Sequence, residues 1–323
     1  MSEYSLKPGV VTGKEYETLV EAAKSGGYAL PAVNIVGTNS MNAVMEAAAK
    51  AKSDIIIQLS NSAGAFYAGA GMEDGFKAKV LGCVAAAQHA HLLAEHYGIC
   101  AVLHTDHANR ALIPWIEALL DEGEKYYEAH GKPLYSSHML DLSADPIDFN
   151  LSESARLLER MARMGMSIEI ELGVTGGEED GIGSEFDEAA DNAHLYTQPE
   201  DVLRAYDTLS PLGHFSVAAS FGNVHGVYKP GNVELRPVIL NNSQNYVQEK
   251  YGTGPRFEPV SEERQREAMD FLAENAFQVP EMLLNEDVLW RIEARGAVDR
   301  IRDAQAGLFG TLLQPAKLNT LVE

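Results

Sequence analysis

Two cysteines in 323 residues, Cys83 and Cys100, are too few for a disulfide framework. Sparse, unpaired thiols suit a reducing compartment, and a cytoplasmic location is the expectation. Long hydrophobic runs are also missing. Stretches such as Ile55-Ile56-Ile57 fall far short of the ~20 apolar residues that cross a bilayer. Residues 1–8 have no apolar core of the kind a secretory leader needs. Basic residues are scarce, with 25 Lys and Arg against 47 Asp and Glu, for a formal net charge of −22. Such a field repels nucleic acid and anionic lipid surfaces and excludes both as partners. It leaves room for a small phosphorylated substrate, because a few local donors outweigh a distant field. Finally, no Gly-x-Gly-x-x-Gly follows the first apolar segment, which argues against a dinucleotide-binding open sheet.

What is present can build a core: 46% of the residues are hydrophobic. The composition changes after Gly252. Residues 1–252 hold all 10 His, both Cys and 24 of the 28 Gly, whereas 253–323 keep 4 Gly, 1 Lys and 7 Arg. Gly252-Thr253-Gly254-Pro255 is a breaker, so a domain boundary is placed there. In the first part, short apolar runs at 30–36, 54–60, 99–106, 134–142, 167–173 and 215–220 read as strands buried on both faces. Helical periodicity fills 39–50, 75–97, 112–130, 152–164 and 200–209. Alternating strands and helices predict a parallel α/β architecture. Polar clusters recur at the strand ends, which is the pattern of a TIM (β/α)8-type barrel. The part after 252 reads as helical only, over 261–272, 287–294 and 296–313.

Four clusters carry chemistry. His104-Thr105-Asp106-His107 puts two imidazoles and a carboxylate at a strand end, where a zinc ion or a proton transfer could use them. Glu169 and Glu171 stand two apart in an apolar strand and face the same way, so a cation or a proton must relieve their repulsion. Gly176-Gly177-Glu178-Glu179-Asp180-Gly181 reads as a glycine-hinged acidic loop, either solvated or carrying a carboxylate to substrate. In Phe221-Gly222-Asn223-Val224-His225-Gly226, two glycines bracket His225 and let backbone amides approach a phosphate.

These segments, with Pro31-Ala32-Val33-Asn34, Ser136-Ser137-His138-Met139-Leu140-Asp141 and Tyr196-Thr197-Gln198-Pro199-Glu200-Asp201, resemble the class II, zinc-dependent fructose-1,6-bisphosphate aldolases. The resemblance covers about Tyr28 to Tyr251. It implies reversible cleavage of fructose 1,6-bisphosphate to dihydroxyacetone phosphate and glyceraldehyde 3-phosphate. It implies zinc held by His107 and His225, with Glu171 and Asp141 near the metal. Asp106 would be the acid and base at the C4 hydroxyl, and Glu179 the loop carboxylate that moves the proton of dihydroxyacetone phosphate. Asn34 and Ser60 would contact substrate. Gly226 would border the phosphate and a monovalent cation, and an intact barrel would form a homodimer.

The sequence departs from that family in more than one place. Ser62-Ala63-Gly64 stands where the family usually has a Gly-Gly-Ala-like turn, and a larger departure concerns the metal. The family takes a third zinc histidine from a Phe-His-Gly-Gly-Ser-like segment, followed by a phosphate-binding strand, but no histidine follows His225 here. Six strand candidates fit the loss of barrel strands seven and eight. Residues 284–293 and 300–305 instead resemble the C-terminal tail of bacterial zinc-dependent metalloproteases, without the His-Glu-x-x-His of a protease centre. Three readings remain open: an active class II aldolase, a non-catalytic truncated remnant, and an aldolase for another sugar bisphosphate of the tagatose type.

Overall fold

The computed structural model describes residues 6–26, 29–179, 182–184, 196–222, 224–225 and 236–252. The helices expected after residue 252, and Gly226, lie outside these residues. The chain opens with β1 (Gly9–Val10) and α1 (Lys14–Gly26), then β2 (Ala32–Asn34), α2 (Thr38–Ala51) and β3 (Ile55–Leu59). Two helices follow, α3 (Asn61–Ala68) and α4 (Gly75–Tyr97), before β4 (Cys100–Thr105). Next come α5 (Ile113–His130), β5 (Ser137–Leu140), α6 (Ile147–Arg163) and β6 (Ser167–Leu172). The rest is a hairpin of β7 (Gly176–Glu179) and β8 (Ile182–Ser184), then α7 (Pro199–Leu209), β9 (Phe215–Ala219), β10 (Val224–His225) and α8 (Val238–Tyr251).

Every expected strand is found. The order β2-β3-β4-β5-β6-β9 is parallel throughout, with β1 joining the lower end of β4. Parallel neighbours need crossover helices, and the helices between them supply these. The result is a curled half-barrel, six strands of the expected (β/α)8 plan. Burial follows position. All six residues of β4, in the middle, are buried, whereas every residue of β9 at the rim keeps some exposure.

The core lies between the sheet and its helices. Ile57, Leu59, Leu103, Leu140, Ile168 and Ile170 pack against Trp115, Ile116, Leu119 and Leu120 of α5 and Leu157, Leu158 and Met161 of α6. Each such side chain, fully buried, stabilises the fold by about 1.5–3 kcal/mol. The helix ends are chemically marked. Asp74 caps α4 by accepting from the Lys77 N–H at 3.0 Å, and α4 and α5 stop at Gly98 and Gly131, both in the left-handed region. Helix α6 begins at Ile147, five residues before the expected Ser152, because Pro146 provides the N-terminal stop.

Two histidines, His138 buried and His91 half-buried, are held neutral by the fold. His138 Nδ1 pairs with Thr105 Oγ1 at 2.9 Å, and burial, with some repulsion from His104, lowers its pKa to about 3. His91 pairs with the Leu134 carbonyl at 3.0 Å, and burial lowers its pKa to about 4. Unfolded histidine titrates near 6.5, so this stability is complete above that pH. It is lost as pH falls from ~6.5 towards the folded values, by about 2 kcal/mol for His138 alone at pH 5. Thermal melts at pH 7.5 and 5.0 should therefore show a marked fall in Tm, smaller in His138→Asn. Equal Tm values at the two pH values would contradict the assignment.

Candidate active site

The C-terminal ends of β4, β5 and β6 place Asp106 and His107, Asp141, and Glu171 side by side. Register does this: His104 pairs with Ser137, Thr105 with His138, and Met139 with Glu169. The turn after β4 hangs between its neighbours, with Asp106 N–H donating to Leu59 O and Asp141 N–H donating to Ala108 O, each at 2.9 Å. His107 takes φ 29°, inside the left-handed region that a side chain rarely enters. Such a backbone costs about 1–3 kcal/mol and persists where the surroundings enforce it, commonly at functional sites.

His107 faces three carboxylates. Its Nδ1 lies 3.4 Å from Asp141 Oδ2 and 3.5 Å from Glu171 Oε2, and its Nε2 lies 3.8 Å from Asp106 Oδ1. One donor atom from each of His107, Asp141 and Glu171 falls within 4.8 Å of the others. Each is held from behind. Thr175 Oγ1 donates to Glu171 Oε1 at 2.7 Å, and the buried Asn150 of α6 donates to the Glu171 carbonyl at 3.0 Å. Burial would push the Asp141 carboxyl up, but the bonds from His107 and from the Ser143 hydroxyl and amide outweigh it. The group is thus held below the ordinary carboxylate range and stays ionised.

Asp106 is gripped on both oxygens by neutral amides, Asn34 Nδ2 on Oδ2 and Gln58 Nε2 on Oδ1, the latter at 2.8 Å. Ser60 follows β3 and caps α3, its Oγ accepting from the Ala63 N–H at 3.2 Å. Glu169 and Glu171, on one strand face, are divided between the two histidines. His104 Nε2 lies 3.5 Å from Glu169 Oε2, while Ser137 Oγ holds His104 Nδ1 at 2.7 Å. Tyr16 of α1 closes the floor, its hydroxyl pushed up to about 12 by burial, with Glu169 adding to the rise and Ser137 opposing it. Tyr16, Gln58, Asp106, His107, Glu169 and Glu171 all line one cavity of about 340 Å³.

The structure thus gathers Asn34, Asp106, His107, Asp141 and Glu171, with Ser60 one residue from the Leu59–Asp106 bond. Glu179 ends β7 and His225 lies in β10, and these strands pair, with Val224 opposite Gly176 and His225 opposite Gly177. The acidic segment expected as a loop is therefore a β-hairpin over its described residues. Gly226 lies outside the described residues. Gln58, Asn150, Thr175 and Tyr16 had no motif to mark them: three are neutral polar residues and the fourth lies on α1, where no helix was expected.

The donor set fits a divalent cation. One imidazole and two carboxylates, nitrogen and oxygen in type, meet at a strand end with the two carboxylates facing each other.

Known proteins resemble this chain in sequence and fold. Over residues 14–255 the chain matches the family Fructose-bisphosphate aldolase class-II, and over residues 223–323 it matches Met-zincin. It is 53% identical over 248 residues to fructose-bisphosphate aldolase of Edwardsiella ictaluri, covering 76% of this chain and 68% of that protein. Identity to fructose-bisphosphate aldolase class 2 of Escherichia coli is 52% over 254 residues, with the same two shares covered. The crystal structure of fructose-bisphosphate aldolase from Campylobacter jejuni aligns with a TM-score of 0.67 at 46% identity, over 77% of this chain and 67% of that one.

Calorimetric zinc titration of metal-stripped protein should show one strong site. His107→Ala should remove it, and Ser143→Ala, which only frees Asp141, should weaken it about 10- to 100-fold. Unchanged binding in His107→Ala would place the metal elsewhere.

Proposed function

The chain belongs to the class II fructose-bisphosphate aldolase family, and on that premise we propose that it reversibly cleaves fructose 1,6-bisphosphate to dihydroxyacetone phosphate and glyceraldehyde 3-phosphate. The observation that carries this reading is the convergence of Asp106, His107 and Glu171 on one cavity, with Asp141 beside His107. His107, with Asp141 and Glu171 and with His225 from the paired segment, would hold zinc. When bound, zinc supplies Lewis-acid polarisation of the substrate carbonyl and positive charge near the phosphates.

The remaining work falls to side chains. Breaking the C3–C4 bond requires the C4 hydroxyl to lose its proton, and Asp106 is the base for it. Both its oxygens already accept amide bonds, which fixes the carboxylate plane and leaves lone pairs aimed into the cavity. Glu179 would move the carbon-bound proton of dihydroxyacetone phosphate, a separate carboxylate for a separate proton. Asn34 and Ser60 would orient the substrate. No lysine is found among the described residues that line the cavity.

Two finer elements rest on the family resemblance alone, a monovalent cation at the Gly226 segment and a homodimer, while a cytoplasmic location rests on the sparse cysteines. No helix among the described residues is long and apolar enough to cross a membrane. Residues 253–323 we read as a segment of separate origin, supported by the end of the aldolase match at 255 and by the Met-zincin match, which starts at 223 and runs on to 323. A second reading, an aldolase scaffold without turnover, is favoured by one fact: no histidine follows His225.

Zinc-loaded full chain should release dihydroxyacetone phosphate from fructose 1,6-bisphosphate, and a chelator should stop it. Asp106→Asn should lower kcat by about 10²- to 10⁴-fold. No turnover by folded, zinc-loaded protein would favour the scaffold reading, and turnover of tagatose 1,6-bisphosphate alone would reassign the substrate.

A further inference from the structure

Helix α3 connects the site to the outer layer. Ser60 stands immediately before it, and three bonds tie that residue to the first turn: Ala63 N–H to Ser60 Oγ at 3.2 Å, Gly64 N–H to Ser60 O at 3.0 Å, and the Ser60 and Ser62 hydroxyls to each other at 2.9 Å. The helix has only eight residues, and Asn61, Ala63 and Gly64 are the buried ones. Such a short helix with so little buried side chain cannot hold its own position.

Its anchor is backbone against backbone. A Cβ built on Gly82 of α4 would lie 1.8 Å from the Gly64 carbonyl oxygen and 3.0 Å from the Ala68 nitrogen. One built on Gly64 would lie 2.5 Å from the Lys79 carbonyl oxygen and 2.6 Å from Cys83 Sγ. Helix α4 is the fixed partner. It runs for 23 residues, buries Ala86, Ala87, Ala90 and Ala94 completely, and receives a 2.8 Å bond from the Tyr135 hydroxyl at the Cys83 carbonyl. An added methyl would therefore move α3. By contrast, a Cβ on Gly123 of α5 meets nothing within 4 Å.

We propose that Gly64 and Gly82 are positioning residues for the site: their close backbone contact sets where α3 lies and hence where it presents the Ser60 hydroxyl to substrate. The kinetic part rests on the aldolase reading, and the structural part does not. Asp106 stays outside the effect, since its amide is held by Leu59 of β3 and its carboxylate by Asn34 and Gln58.

The test is amide exchange on the full chain, read residue by residue, with kinetics beside it. Gly82→Ala should speed exchange at Ala63 and Gly64 about tenfold or more, while Asp106 and Ser167 stay as in the wild type. Gly123→Ala should change none of them. KM for fructose 1,6-bisphosphate should rise about tenfold with kcat within about threefold, and this rise should largely vanish in a Ser60→Ala background. Should Gly82→Ala not fold, Cys83→Ala, which removes the wall behind Gly64 and adds no atom, should give the same pattern more weakly. Uniform acceleration, no acceleration, or a KM effect additive with Ser60→Ala would overturn the proposal. A wild type without turnover would count against the aldolase reading, and the exchange pattern alone would then decide the role of the glycines.

Discussion

Parallel pairing of β4 with β5, and of β5 with β6, sets three distant chain segments at one height. Everything chemical in the molecule follows from that register. A slip of one residue in β6 would turn Glu169 and Glu171 away from the cavity and bring Ile168 and Ile170 in. The register is protected by burial on both faces. Leu103, Leu140, Ile168 and Ile170 are held against α5 and α6, so a slip would expose apolar side chains as it buried charge.

The same geometry concentrates negative charge. Asp106, Glu169 and Glu171 line a single cavity, with Asp141 beside it, in a chain whose formal charge is already −22. The fold answers each carboxylate locally: amides for Asp106, His104 for Glu169, and His107 for Asp141 and Glu171. Neutral donors and two imidazoles offset only part of this repulsion, and a divalent cation would complete the balance. Such a cation would also let an acidic protein take a bisphosphate, because the attraction that matters is local.

Much of this was legible in the sequence. The six expected strands fall in short, largely apolar segments between helical stretches, and β4, buried along its whole length, announces itself without alternation. Less visible were the elements whose stability comes from tertiary contact. The α3 sequence Asn-Ser-Ala-Gly-Ala-Phe-Tyr-Ala has no apolar stripe, and its packing depends on missing side chains at Gly64 and Gly82. Helix α8 is rich in Asn and Gln and buries only Ser243 and Val247, so its periodicity is faint. The site shows the same division. Charged residues in His-Thr-Asp-His and Ile-Glu-Ile-Glu stood out and carried the family resemblance. Gln58, Asn150 and Thr175 did not, because a neutral side chain becomes informative only once its partner across the sheet is known.

The central claim is that one imidazole and two carboxylates from adjacent strand ends form the metal seat of this half-barrel aldolase. Anomalous diffraction at the zinc edge, from crystals of the full chain grown with zinc, tests it most directly. The account predicts a peak about 2.0–2.2 Å from a His107 nitrogen, with Asp141 or Glu171 oxygen in the same shell. A peak bound by other residues, or none at full zinc loading, would contradict it.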